Sequence, residues 1–130
     1  MIVDTSAIIA ILKHEPDSAK YAAALAKRIP KLMSAATFVE ASIVVDSQRD
    51  PILSRRFDDL LALSQIQVES VTPSQAVLAR AAYRDFGKGS GHPAKLNFGD
   101  CFSYALAKES GQKLLFKGND FSETDLESAI

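Results

Sequence analysis

The feature that most narrows the fold of this 130-residue chain is a repeated exchange of short apolar segments for stretches with helical spacing. Met1–Val3 reads as a first strand, Lys31–Ser34 as a second, Ile66–Val71 ("IQVESV") as a third and Lys113–Gly118 ("KLLFKG") as a fourth. Helical segments separate them. Ala7–Leu12 follows Ser6 as a capping residue, and Tyr21, Ala22, Leu25 and Ile29 recur at helical spacing within Glu15–Ile29. Thr37–Gln48 is a further helix. Asp50-Pro51 opens another, a capping residue followed by proline at the first helical position, with Leu53, Phe57, Leu60 and Leu61 on one face. Thr72-Pro73-Ser74-Gln75 is a start signal with Gln75 placed for a capping box, and its helix runs to about Phe86. Gly87–Asn97 holds three glycines and a proline and is a loop. The last long helix spans Phe98–Ser110, closed by Gly111, and the tail has room for one short helix. Such alternation implies right-handed crossovers and a parallel sheet covered on both faces. The expected class is α/β: a three-layer α/β/α sandwich around a four- to five-stranded parallel sheet. The length fits a single domain over residues 1–130, and 47% hydrophobic residues suffice for its core.

Parallel sheets of this kind keep their binding sites outside the carboxyl ends of the strands. Asp4 follows strand one, Glu40 lies in the first turns after strand two, Asp100 in the first turn of the helix before strand four, and Asp120 just past strand four. All four can reach one edge. Crowded carboxylates repel, and a divalent cation relieves that repulsion. Oxygen donors with neither a cysteine cluster nor a histidine pair at ligand spacing suit Mg²⁺ or Mn²⁺ rather than zinc. Activation of a water and charge stabilisation at a phosphodiester are the chemistry such a site supplies. Taken singly, each acid has a second reading. Asp4 is also a cap, Thr37-x-x-Glu40 also a capping box, Asp100 also a partner for a helix dipole, and Asp120 also part of an acidic tail. Ser6 orients Asp4, caps the helix, or does both.

The segments "MIVDTSAIIAIL", "SAATFVEAS", "LNFGDCFSYALA" and "LLFKGNDF" resemble the PIN-domain ribonucleases, and more narrowly the VapC toxins of bacterial VapBC toxin–antitoxin pairs. The resemblance spans essentially the whole chain and follows the order Asp, Glu, Asp, Asp. It implies a PIN-like sandwich and Mg²⁺- or Mn²⁺-dependent endoribonuclease activity that inhibits growth unless an antitoxin binds. Carried over by position, Asp4, Glu40 and Asp100 become the core metal-binding acids and Asp120 the fourth. Ser6 supports Asp4, and Asn97 helps to shape the site. A homodimer, a VapB-like antitoxin in a hetero-oligomer, and a bacterial cytoplasmic location are implied as well.

The net charge of −1 supplies no global pull toward nucleic acid or anionic lipid. Setting the four acids aside leaves twelve acids against fifteen basic residues, so the remaining surface is mildly basic. Arg80–Lys95 carries four basic residues against Asp85, and Arg84, Lys88 and Lys95 are candidate contacts to RNA phosphates; a solvated face is the alternative. One cysteine, Cys101, excludes an internal disulfide and fits a reducing compartment. The N-terminus has no signal-peptide pattern, and no apolar run is long enough to span a membrane. His14 and His92 sit in separate loops, which argues against catalysis by either. Cys101 is expected to pack, and Lys117 lies near the pocket or on the surface. Phe38, Phe57, Phe98 and Phe102 are expected in the core. A haloacid-dehalogenase-type phosphatase would need an acid where Ser6 stands. A receiver-type phosphoacceptor would place its acids after different strands. A catalytically inactive PIN-like binding module would not need all four acids.

Overall fold

A computed structural model describes residues 1–130. Its strands are β1 (Ile2–Val3), β2 (Lys31–Ser34), β3 (Ile66–Glu69) and β4 (Leu114–Leu115). Its helices are α1 (Thr5–Leu12), α2 (Ser18–Leu25), α3 (Ala35–Asp46), α4 (Pro51–Leu63), α5 (Pro73–Phe86) and α6 (Asp100–Ser110), with one 3₁₀ turn at Phe121–Glu123 in the tail. The strands form one sheet in the order β3-β2-β1-β4, parallel throughout, with Ile2 in register with both Leu32 and Leu114. A parallel bridge from Leu114 to Ser128 lays the C-terminal residues along β4 in place of a fifth strand.

Strand alternation explains the three layers. Side chains on a strand point to opposite faces in turn. Val3, Met33 and Leu115 enter one core with α1, α2, α3 and α4, whereas Ile2 and Leu114 enter a second core with α5 and α6. β1 and β4 are therefore apolar at both positions, as a sheet covered on both faces requires, and β2 keeps Leu32 and Met33 between Lys31 and Ser34 at its ends. At the β3 edge Val68 is exposed, so the alternation of "IQVESV" there marks an open edge strand.

Several boundaries differ from those expected. Asp4, not Ser6, is the N-cap of α1: its carboxylate accepts from the Ser6 backbone N–H, and the helix starts at Thr5. Ser34 caps α3, which places Thr37 inside the helix and removes the Thr37–Glu40 capping box. Asp50 caps α4 as expected, accepting from the N–H groups of Ile52 and Leu53. Thr72 caps α5 by accepting from the Gln75 N–H, but the box stays half-made because the Gln75 amide donates to Glu109 at 2.7 Å. Helix α2 is shorter than Glu15–Ile29. Pro16 precedes it, and Pro30 disfavours helical geometry in the residue before it. The Gly87–Asn97 loop is pinned by backbone bonds between Lys88 and Leu96 and between Leu96 and Phe86, with Ala94 and Leu96 buried beneath it. No helix is long and apolar enough to cross a membrane.

Candidate active site

The strand order reverses direction between β1 and β4. The chain steps outward through β2 to β3 and then returns to the other side of β1. Clefts in parallel sheets open at such a point, and Asp4 stands there. Its N–H donates to the Leu115 carbonyl at 3.0 Å, extending the ladder by one residue. Its carboxylate is buried and accepts three hydrogen bonds. Oδ2 accepts from Ser6 N–H (2.9 Å) and Ser6 Oγ (2.6 Å), and Oδ1 accepts from Ser103 Oγ (2.6 Å). Ser6 Oγ in turn accepts from the Lys117 backbone N–H at 3.0 Å, which joins the end of β4 to the same cluster. Ser6 thus holds Asp4 by backbone and hydroxyl together and caps nothing itself.

Helix α6 begins with a reciprocal bond pair. Asn97 Oδ1 accepts from the Asp100 N–H at 2.9 Å, and Asp100 Oδ2 accepts from the Asn97 N–H at 2.8 Å. This is capping-box geometry with a short acid at the fourth position. It fixes the Asp100 side chain and keeps the Asn97 amide beside it. Gly99 lies between them with helical φ −63° and ψ −42°. A Cβ on Gly99 would stand 1.6 Å from Glu40 Oε2, so glycine is what admits the Glu40 carboxylate to the start of α6. Glu40 arrives from α3 and is half-buried.

The electrostatics reflect this convergence. Burial pushes the Asp100 carboxyl up to about 7; the Asn97 N–H opposes the shift, and the charges of Asp4, Asp120 and Glu40 add to it. Glu40 is also raised, by burial first and by the Asp4 charge, with the Thr5 hydroxyl opposing. Asp120 is exposed at the mouth, close enough for its charge to act on Asp100. None of the six ion pairs in the protein uses any of these four acids. The nearby Lys117 ammonium turns away to Glu15 and to Asp17 at 2.7 Å.

The donor set suits a hard divalent cation. It is all oxygen, clustered, and without a cationic side chain to balance it. No three Asp, Glu, His or Cys side chains close into a preassembled cage. Mg²⁺ needs only one or two direct carboxylates and retains water at its other positions, so a spread set of acids still fits it.

Residues outside this cluster divide. Lys88 and Lys95 are exposed on the pinned loop, Lys95 at φ +51°. Arg84 is exposed but committed to a two-bond pair with Asp85 at 2.8 and 3.2 Å. His14 is exposed and within 2.8 Å of the Arg56 guanidinium, and His92 packs edge-on against Phe86; neither reaches the acids. Cys101 is buried, as expected. Phe98 departs from the expected core position: it is 77% exposed, resting edge-on against Phe102, because the tight Asn97–Asp100 turn leaves position 98 on the outside. Phe57 is buried and stacks on the half-buried Phe38. Ser103 carries no signal in the sequence, and Thr37 carries only that of a capping box. Gly99 stood there only as part of a matching motif.

A parallel three-layer sheet with unpaired acids at its switch point defines a class of acid-site α/β proteins. Comparisons with known proteins place the chain within that class. The PIN domain family model matches residues 1–127. Over 130 residues the chain is 59% identical to Ribonuclease VapC28 of Mycobacterium tuberculosis, covering 100% of this chain and 98% of that protein. It is 48% identical over 129 residues to Ribonuclease VapC42 of the same species, covering 99% and 98%. Among solved structures, Mycobacterium tuberculosis VapC20, described as a sarcin-ricin loop cleaving toxin, superposes with TM-score 0.72 at 18% identity over 96% of this chain and 95% of that one. A toxin–antitoxin complex from Klebsiella pneumoniae gives TM-score 0.68 at 18% identity, covering 93% and 89%. The chain belongs to the PIN domain family, among its VapC members.

Proposed function

We propose that this protein is a divalent-metal-dependent endoribonuclease and the toxin half of a toxin–antitoxin pair, acting in the bacterial cytoplasm. One observation carries the chemistry. A buried carboxylate, Asp4, is held by two hydroxyl donors and one backbone N–H and flanked by Glu40 and Asp100, with no cationic side chain to balance them. The ribonuclease names of relatives at 59% and 48% identity over the full chain support RNA as the substrate. The Klebsiella pneumoniae complex supports an antitoxin as the partner. A homodimer is part of the same reading.

In this reading Asp4, Glu40 and Asp100 hold Mg²⁺ or Mn²⁺, and Asp120 assists from the mouth. The ion supplies charge stabilisation at the phosphodiester and a water activated near neutral pH. Ser6 and Asn97 keep the Asp4 and Asp100 carboxylates in place. Lys88 and Lys95 hold RNA phosphates beside the cleft. Arg84 does so only after leaving Asp85. Cleavage of single-stranded RNA should disappear in EDTA and return with Mg²⁺ or Mn²⁺. Asp4→Asn and Asp100→Asn, which keep shape and lose charge, should each cost ~100-fold or more in cleavage rate. Full activity in both variants would refute the mechanism.

A further inference from the structure

Ser103 lies on α6 one turn after Asp100 and has no exposed surface. Its hydroxyl contacts Asp4 Oδ1 at 2.6 Å and Thr37 Oγ1 of α3 at 3.1 Å. A serine hydroxyl has one proton to give. The short contact with a carboxylate, which can only accept, uses that proton. Thr37 must therefore donate to Ser103, and the chain runs Thr37 to Ser103 to Asp4. It links α3 and α6, the elements that also bring Glu40 and Asp100, to the end of β1. An ionised carboxylate offers about four lone-pair positions. On Asp4 two are taken by Ser6 and one by Ser103, which leaves a single acceptor position, on Oδ1.

We propose that Ser103, oriented by Thr37, is a positioning residue that fixes the Asp4 carboxylate so that this one remaining position on Oδ1 serves a divalent cation. The inference rests on the reading of Asp4 as a metal-holding acid. Without Ser103 the carboxylate keeps its two Ser6 bonds on Oδ2 and can rotate about them. Oδ1 then loses its fixed position relative to Glu40 and Asp100. Partners that orient a ligand in this way are worth ~10–100-fold in metal affinity.

The test is Mn²⁺ binding to the intact protein without RNA, followed by the electron paramagnetic resonance signal of free Mn²⁺, alongside RNA cleavage as a function of Mn²⁺ concentration. Ser103→Ala should weaken Mn²⁺ binding by ~10-fold or more. Ser103→Cys, which fills the site but donates poorly, should weaken it in the same way. Thr37→Val, near-isosteric and without the hydroxyl, should show a smaller loss in the same direction, and it carries the measurement if Ser103→Ala does not fold. At saturating Mn²⁺ the three variants should recover kcat, with KM for RNA unchanged. Parental Mn²⁺ affinity in both Ser103 variants would overturn the inference, as would Ser103→Cys restoring what Ser103→Ala loses, which would mark a packing role. Asp4→Asn separates the two failures. If it binds Mn²⁺ as the parent does, the metal-site reading falls and the inference with it. If it binds weakly while Ser103→Ala binds normally, only the role of Ser103 falls.

Discussion

Gly99→Ala separates the stability of the fold from the construction of its site. The backbone at Gly99 is already helical, φ −63° and ψ −42°, so alanine needs no conformational adjustment there. Replacing glycine at such a position reduces the freedom of the unfolded chain and stabilises by about 0.4–1 kcal/mol. For a chain of this length that is a rise of ~2–4 °C in Tm. The obstacle is a single functional group. The new Cβ would lie 1.6 Å from Glu40 Oε2 and 2.5 Å from Glu40 Cδ, where real Cβ contacts do not fall below 3.0 Å. The carboxylate must therefore retreat by about 1.4 Å, and its flexible side chain lets it do so at little cost. Misplacing a catalytic group by ~1 Å costs on the order of 100-fold in rate. The expected variant is as stable as the parent or slightly more so, and about 100-fold slower in cleaving RNA at saturating Mn²⁺. Thermal melts and initial-rate assays read the two quantities on one preparation. A double-mutant cycle supplies the stricter test: Gly99→Ala should add little to Glu40→Gln, because both act through one carboxylate. A Gly99→Ala protein with parental activity, or an additive cycle, would refute the argument.

Other outcomes follow from the same geometry. Asp100 holds its proton up to about pH 7 when folded without metal, but only into the ordinary carboxylate range when unfolded. The folded state then binds more protons between roughly pH 4 and pH 7, so the stability of the metal-free protein should fall as pH rises through that window. Because the ion must displace this proton, Mn²⁺ affinity should climb with pH and level off above about 7; calorimetric titrations from pH 5.5 to 8.5 would show it, and a pH-independent affinity would count against proton competition. Lys88→Glu combined with Lys95→Glu should weaken RNA binding and reduce the slope of log K against log salt by about 1.4, from ~0.7 per phosphate contact on single strands; an unchanged slope would remove both lysines from the RNA path. Phe98→Ser should leave the melting temperature within ~2 °C, since an exposed ring contributes little to the core; a large drop would show that the ring is buried in solution.

The layer order and the four acids were legible because both depend on local chemistry that a sequence displays. Short strands carrying apolar residues, proline at the first turn of α4, and a carboxylate at a strand's end are all visible in one dimension. The link from Thr37 through Ser103 to Asp4 was not, because Thr37 reads as a cap and Ser103 as an ordinary helical residue, and the two become partners only when α3 and α6 meet across β1. The exposure of Phe98 and the pairing of Arg84 with its neighbour Asp85 were hidden for the opposite reason. They depend on how a helix starts or ends, and there the usual face-by-face periodicity fails.

The choice between helix-end partner and site, left open in the sequence for Asp4 and Asp100, rests on a false opposition. α1 and α3 follow their strands directly, and α6 runs back to feed β4, so all three present their first turns at the carboxyl edge of the sheet. Free N–H groups collect there, and they attract carboxylates on electrostatic grounds alone. Asp4 caps α1 with Oδ2 while Oδ1 faces Ser103, and Asp100 completes the box with Asn97 while its charge meets those of Asp4 and Glu40. For Asp4 and Asp100, the bonds made at the helix start are the bonds that hold the acid still, whereas Glu40 caps nothing because Ser34 caps α3. A capping signal immediately after a parallel strand is therefore an argument for a site at that position, provided that a second and a third acid reach the same edge.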